Sequence, residues 1–221
     1  PVDVSKTIVD NCRGGYSGIM KRMSENFTGD TKKLLKYLDA NNLYGYSMIQ
    51  KLANKFIGVI TPEEFETERA AWTRDGDFAY FLLCDYTVPI EIHDKFAKFA
   101  PLISKKTVVC GEISIQNKTL KEVKSTAAGT KLCSTLESGE NYLMDYENYL
   151  FYIRMGHQIT IKSVQKYEQE HILKDYIDMN SGLRQRSTTE INKQLFKDLN
   201  NICYGKSLQN PMKYGNVELI T

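Results

Sequence analysis

The run from Phe78 to Ile90, Phe-Ala-Tyr-Phe-Leu-Leu-Cys-Asp-Tyr-Thr-Val-Pro-Ile, constrains the fold more than any other feature of the chain. It is rich in aromatic and branched residues and follows the turn residues Asp75-Gly76-Asp77, so it reads as a strand. Lys33 to Asp39 is apolar enough for a central strand, and Asn41 to Leu52 reads as a short helix or turn leaving it. Val108 to Ile115 and Gln158 to Val164 are further strands. Thr61-Pro62-Glu63-Glu64 has the form of a helix start: a capping Thr, Pro at the first position, and acids in the first turn. Asn141 to Met155 carries Leu143, Tyr146, Leu150 and Ile153 at helical spacing and stops at Gly156. Ile172 to Arg184 and Glu190 to Leu208 are two more helices, with a capping box expected at Ser187-Thr188-Thr189-Glu190. Strands followed by paired helices predict an α/β or α+β fold.

Composition adds bounds. The 221 residues are 42% hydrophobic and 25% charged, an ordinary globular balance. The net charge of +2 does not by itself imply a nucleic-acid partner. Its distribution is more telling. Lys118, Lys121, Lys124 and Lys131 face one acid, Glu122, across a weakly patterned stretch at 116–131 that reads as a loop or insertion. Arg184, Arg186, Lys193, Lys197, Lys206 and Lys213 outnumber Glu190, Asp198 and Glu218 toward the C-terminus. Such runs serve equally as solvated faces. The cysteines at 12, 84, 110, 133 and 203 form no CxxC, so no zinc site or disulfide framework is indicated, and Cys84 and Cys110 read as reduced core residues. His93, His157 and His171 form no ligand pair. No transmembrane or signal segment is read, so the expected setting is intracellular and no membrane partner is expected.

Two segments offer chemistry. The first is Tyr37-Leu38-Asp39-Ala40-Asn41-Asn42-Leu43-Tyr44-Gly45. A carboxylate at the end of a buried strand projects into the place where ligands bind, and phosphoryl transfer needs carboxylates to hold divalent ions. Asp39 is the candidate metal ligand, and Tyr44 a candidate floor for a nucleotide sugar. The competing reading makes Asp39 a helix cap and Tyr44 a core residue. The second is Lys197-Asp198-Leu199-Asn200-Asn201-Ile202-Cys203-Tyr204-Gly205. Steps of three and four place Arg186, Lys193, Lys197, Asn201 and Tyr204 on one helical face, with Leu195, Phe196, Leu199 and Ile202 on another suited to packing. Cations ending in an aromatic suit a triphosphate and a base. A solvated amphipathic helix is the plainer use of the pattern, although Asn and Gly are poor helix formers for that purpose.

At these residues the chain resembles the family B DNA polymerases, in particular the protein-primed branch of viruses, linear plasmids and self-synthesising transposons. Tyr37 to Gly45 is similar to the first palm motif, whose Asp binds metal and whose Tyr is the sugar gate. Lys197, Asn201, Tyr204 and Gly205 fall on the fingers motif Lys-x-x-x-Asn-Ser-x-Tyr-Gly. Arg13-Gly14-Gly15 resembles the linker that helps bind template. Leu83 to Pro89 with Ile92 to Asp94, and Tyr149 to Asn180, resemble the stretches between the motifs. The resemblance implies a partial palm sheet with helical fingers. It sets a linker at 1–30, palm at 31–115, a basic loop at 116–140, palm helix and strand at 141–170, fingers at 171–210 and a return toward the palm at 211–221.

It implies catalytic roles for Asp39 and Lys197 and nucleotide contacts from Tyr44, Arg186, Lys193, Lys197, Asn201 and Tyr204. It further implies DNA contacts from Arg13, Gly14, Gly15, Tyr204 and Gly205, and Mg2+ or Mn2+ on Asp39. The partners implied are a DNA template-primer, a deoxynucleoside triphosphate (dNTP) and a terminal priming protein. Three departures stand out: Ile202 replaces the motif's Ser, Cys12 stands where many members have Tyr before Arg-Gly-Gly, and the third motif, an Asp-Thr-Asp carrying the second metal carboxylate, is not found. Residues 1–221 alone are therefore expected not to polymerise. The alternative is a non-catalytic descendant that binds nucleic acid or protein.

Overall fold

A computed structural model describes residues 3–19, 23, 27–28, 31–32, 35–108, 129–207 and 209. The helices and strands run in the order α1 (Val4–Asn11), β1 (Phe27–Thr28), β2 (Thr31–Lys32), α2 (Leu43–Met48), β3 (Leu52–Ile60), α3 (Pro62–Glu68), β4 (Phe78–Thr87), α4 (His93–Phe96), β5 (Ile103–Val108), β6 (Gly129–Ser134), β7 (Gly139–Asp145), α5 (Tyr146–Met155), β8 (Gln158–Glu170), α6 (Lys174–Arg186) and α7 (Glu190–Ser207). Four strands form one sheet in the order β3-β8-β4-β7. β4 and β7 are antiparallel, with Leu82 opposite Met144, and β5 and β6 form a separate antiparallel pair. The fold is mixed α and β with antiparallel sheets, in agreement with the α+β expectation.

Several elements fall where the sequence puts them. Thr61 and Glu64 make the reciprocal capping box of α3: Glu64 N donates to Thr61 Oγ1 at 3.2 Å and Thr61 N to Glu64 Oε2 at 2.8 Å. Gly156 ends α5 in the left-handed region, φ 97°, where a side chain would be strained. Other expectations are corrected. Residues 35–40 have no strand; Tyr37 and Leu38 are 97% and 84% exposed. Residues 141–145 belong to strand β7, because Tyr142 and Met144 are held in register with β4, and the helix begins only after Asp145, whose carboxylate caps Asn148 N at 2.9 Å. Gly129 to Lys131 are strand, not loop. Of the strand expected at Val108 to Ile115 only Val108 is among the described residues, as the last residue of β5 (Ile103–Val108); the rest, with Cys110 and Lys118 to Lys124, lies outside them.

The chain divides into two compact units: residues 1–35, 57–74 and 80–166, and residues 36–56, 75–79 and 167–221. In the first unit, alternation along β4 sends Tyr80, Leu82, Cys84 and Tyr86 to one buried face. Phe65 of α3 is wholly buried against them, its ring edge-on to Tyr80 (5.1 Å) and Tyr146 (5.0 Å). Trp72 stands edge-on to Tyr146 at 4.8 Å. Burial pushes the Cys84 thiol up to about 12, so it is an inert core group.

At the rim of this core Glu68 Oε2 accepts from the Tyr80 hydroxyl at 2.6 Å and pairs with Lys166 Nζ at 2.7 Å. The hydrogen bond from Lys166, then that from Tyr80, hold the Glu68 carboxyl below its ordinary value. A depressed folded-state value contributes stability above the unfolded carboxylate range, and that contribution is lost as the pH falls through the folded value. Glu68→Gln should therefore flatten the acid limb of stability against pH and leave stability above pH ~6 less pH-dependent than that limb, as read by urea unfolding at several pH values.

Candidate nucleotide-binding site

The second unit contains α2, α6 and α7. α2 begins at Asn42, which takes a left-handed conformation, φ 53°, tolerated by Asn more readily than by most residues. The Asn42 amide lies over buried Gly45, where a Cβ would come within 2.2 Å of Asn42 Nδ2. The Asn-x-x-Gly spacing of the first segment thus has a packing reason. Beyond α2, His171 Nδ1 lies 2.8 Å from Ile49 O, and Lys51 Nζ donates to the carbonyls of Asp75 (2.7 Å) and Gly76 (2.9 Å). Neither residue stood out in the sequence, because a lone His or Lys bonding to carbonyls leaves no motif.

The two chemically suggestive segments meet in this unit. Tyr44 of α2 stacks on Tyr204 of α7, with ring centroids 4.1 Å apart and planes 18° from parallel. These residues are 160 positions apart in sequence. Tyr44 is half exposed, so it is not the core residue of the plainer reading.

The rotation of α7 differs from expectation. Asn200 is its buried residue and accepts a hydrogen bond at Oδ1 from Nδ2 of Asn180, on α6, at 3.0 Å. Counting about 100° per residue from Asn200, Lys193, Tyr204, Lys197 and Asn201 fall at about +20°, +40°, +60° and +100°, and Phe196, Cys203 and Leu199 at about −40°, −60° and −100°. Leu195, Ile202 and Ile191 lie at about −140°, −160° and 180°, and they are 50%, 63% and 82% exposed. The expected packing face is thus corrected: Phe196 and Leu199 flank the buried seam, while Leu195 and Ile202 face solvent. Ile202 thus stands at an outward position of α7.

Arg186 is also corrected. It is the last residue of α6, with its Nε donating to Gly182 O at 3.3 Å, and does not belong to the face of α7. The expected capping box at 187–190 is absent: Thr189 caps α7 by accepting from Asn192 N at 3.3 Å, and the Ser187 hydroxyl donates to Leu183 O. Lys193 Nζ pairs with Glu190 Oε1 at 2.7 Å. Lys197 is exposed and makes no hydrogen bond or ion pair to another described residue. Of the two lysines on this flank, Lys193 is tied to a carboxylate and Lys197 is not. Gly205 is exposed near the end of α7, and a Cβ there would meet open space.

Asp39 lies in the irregular exposed segment before α2, not at the end of a strand. Among the described residues no three of His, Cys, Asp and Glu are gathered as a metal ion would require.

Arg13, in the first unit, is held within the protein. Its guanidinium donates to Leu143 O at 2.6 Å and Asn11 Oδ1 at 3.0 Å and lies 3.7 Å from the Tyr142 ring centroid. Leu143 N donates in turn to Asn11 Oδ1 at 2.9 Å. Asn11 and Arg13 thereby occupy backbone groups of β7 that an added strand would use. Gly14 and Gly15 are exposed. Among the described residues no helix is long and apolar enough to cross a membrane. Comparison with protein-family models, with curated proteins and with solved structures gives no match for this chain.

Proposed function

We propose that the second unit holds a deoxynucleoside triphosphate, as the fingers and adjoining palm segment of a DNA polymerase similar to the protein-primed family B enzymes. The observation that carries this reading is the stack of Tyr44 on Tyr204, which joins the two segments that resemble the family's motifs. Lys197 meets the phosphates, with Lys193 released from Glu190 as a second cation. Tyr204 and Tyr44 offer ring faces to the base and sugar, and Asn201 lies beside Lys197 on the same flank. The template-primer would approach at Tyr204 and Gly205. A DNA contact from Arg13 would have to compete with its bonds to Leu143 and Asn11.

Joining nucleotides needs more carboxylates than Asp39 provides, because two divalent ions must be held at the reacting oxygens. Residues 1–221 are therefore expected to bind dNTP without extending a primer. The test is a fluorescence titration with mant-dATP and magnesium, run beside a primer-extension assay. Saturable binding without incorporation supports the reading. Incorporation would overturn the inactivity, and absence of saturable binding would overturn the nucleotide site. A binding role without chemistry is the second reading, favoured by the exposed apolar stripe Ile191, Leu195 and Ile202.

A further inference from the structure

The residue most deeply buried on α7 is polar. Asn200 is 3% exposed, and its partner Asn180 on α6 is 2% exposed. Both sit inside helices, where Asn is a poor helix former. The same helix leaves Ile191, Leu195 and Ile202 in solvent. Hydrophobic burial alone would favour a different rotation. Turning α7 by about 100° about its axis would carry Leu199 into the seam and move Leu195 and Ile202 toward it. What opposes this turn is the Asn180–Asn200 hydrogen bond, since turning would leave the buried Asn180 amide without its partner. Buried Asn at a helix interface is an attested way of fixing register at a cost in stability.

We propose that Asn180 and Asn200 are positioning residues that set the rotation of α7, and so fix which side chains face the nucleotide. Resting on the nucleotide reading above, this assigns them a role through Tyr204, Lys197 and Asn201, not by contact with the ligand. Tyr204 and Lys197 lie about 40° and 60° around the helix from Asn200, on the side away from Leu199, so the turn that carries Leu199 into the seam carries both away from it and parts Tyr204 from Tyr44.

The test uses Asn180→Ala together with Asn200→Ala, which removes both amides and orphans neither. Rotation is read without nucleotide, in a background carrying Ile202→Cys. The rate of alkylation at position 202 is followed peptide by peptide, against exposed Cys12 and buried Cys84 as fast and slow references. With the Asn pair intact, the thiol introduced at position 202 should react at a rate near that of Cys12. In the Ala pair it should slow toward Cys84, and mant-dATP affinity should fall about tenfold or more, the scale of a lost base–aromatic stack. Adding Leu195→Gln to the Ala pair removes the competing apolar face and should restore both signals, which a purely structural defect would not do.

Should the Ala pair fail to hold its helices by circular dichroism, Asn180→Leu with Asn200→Leu fills the space. It should give labelling and affinity between those of the intact pair and full rotation. Unchanged labelling in the folded variants would overturn the proposal. So would changed labelling with unchanged affinity. If the intact protein binds no mant-dATP, the nucleotide reading fails, and the labelling rates still decide whether the Asn pair sets the rotation.

Discussion

Phe65→Ala should destabilise the first unit by about 3–5 kcal/mol, the range for truncating a fully buried aromatic. Phe65 has no exposed surface and meets two rings edge-on, Tyr80 from β4 and Tyr146 from the start of α5. Its removal takes away the contacts that hold α3 on the sheet and leaves a void that two tyrosines cannot easily fill, because the Tyr80 hydroxyl is tied to Glu68. A loss of this size is a large part of the roughly 5–15 kcal/mol by which domains are stable. Trp72 is the chain's single tryptophan and lies against Tyr146, so urea unfolding followed by its fluorescence reports on this core. The expected result is a midpoint shifted to lower urea with an unchanged slope. A midpoint within error of the unsubstituted protein would show that Phe65 does not anchor the core.

In the second unit, Lys197→Ala and Tyr204→Ala should each weaken mant-dATP binding and do so differently. Removing a charged hydrogen-bond donor costs about 1.5–3 kcal/mol, roughly tenfold to a hundredfold in affinity, and a Lys–phosphate contact of this kind should be weaker at high salt. Removing a ring costs about 1–3 kcal/mol per stacked base, with little salt dependence. Titration at two ionic strengths therefore separates them. Lys197→Ala should reduce the salt dependence, whereas Tyr204→Ala should lower affinity and keep it. Lys193→Ala should have the smaller effect of the two lysines, because Lys193 is already paired with Glu190. Equal losses at Lys193 and Lys197 would contradict the distinction between a paired and an available cation.

How much of this was legible in the sequence depends on the range of the interaction concerned. The capping box at Thr61 and Glu64, the stop at Gly156 and the strand from Phe78 rest on neighbours within a few residues, and they were readable. Leu35, Tyr37 and Leu38 look equally apolar, but a strand requires a hydrogen-bonded partner, and in the sheet order β3-β8-β4-β7 residues 35–40 have none. Residues 141–145 fit a helical spacing and an alternation alike, and the register with β4 decides for the strand.

The candidate site shows the same division. Steps of three and four correctly grouped Lys193, Lys197, Asn201 and Tyr204 on adjoining positions of α7. They placed its apolar face wrongly, because the seam is centred on a hydrogen bond to Asn180, twenty residues away on another helix. The doubled Asn200-Asn201 was the available signal. A poor helix former in the middle of a long helix asks for a reason, and burial of one of the two supplies it. The stack of Tyr44 on Tyr204 was not readable from spacing at all, since it depends on how α2 and α7 pack.

Photo-crosslinking with 8-azido-dATP and magnesium, mapped by mass spectrometry, tests the nucleotide site most directly. The azide sits on the base, so the account predicts saturable labelling confined to peptides that contain Tyr44 or Tyr204, suppressed by excess dATP and lost in Tyr204→Ala. Labelling that is insensitive to competing dATP, or that falls on other peptides with Tyr44 and Tyr204 unmodified, would contradict it.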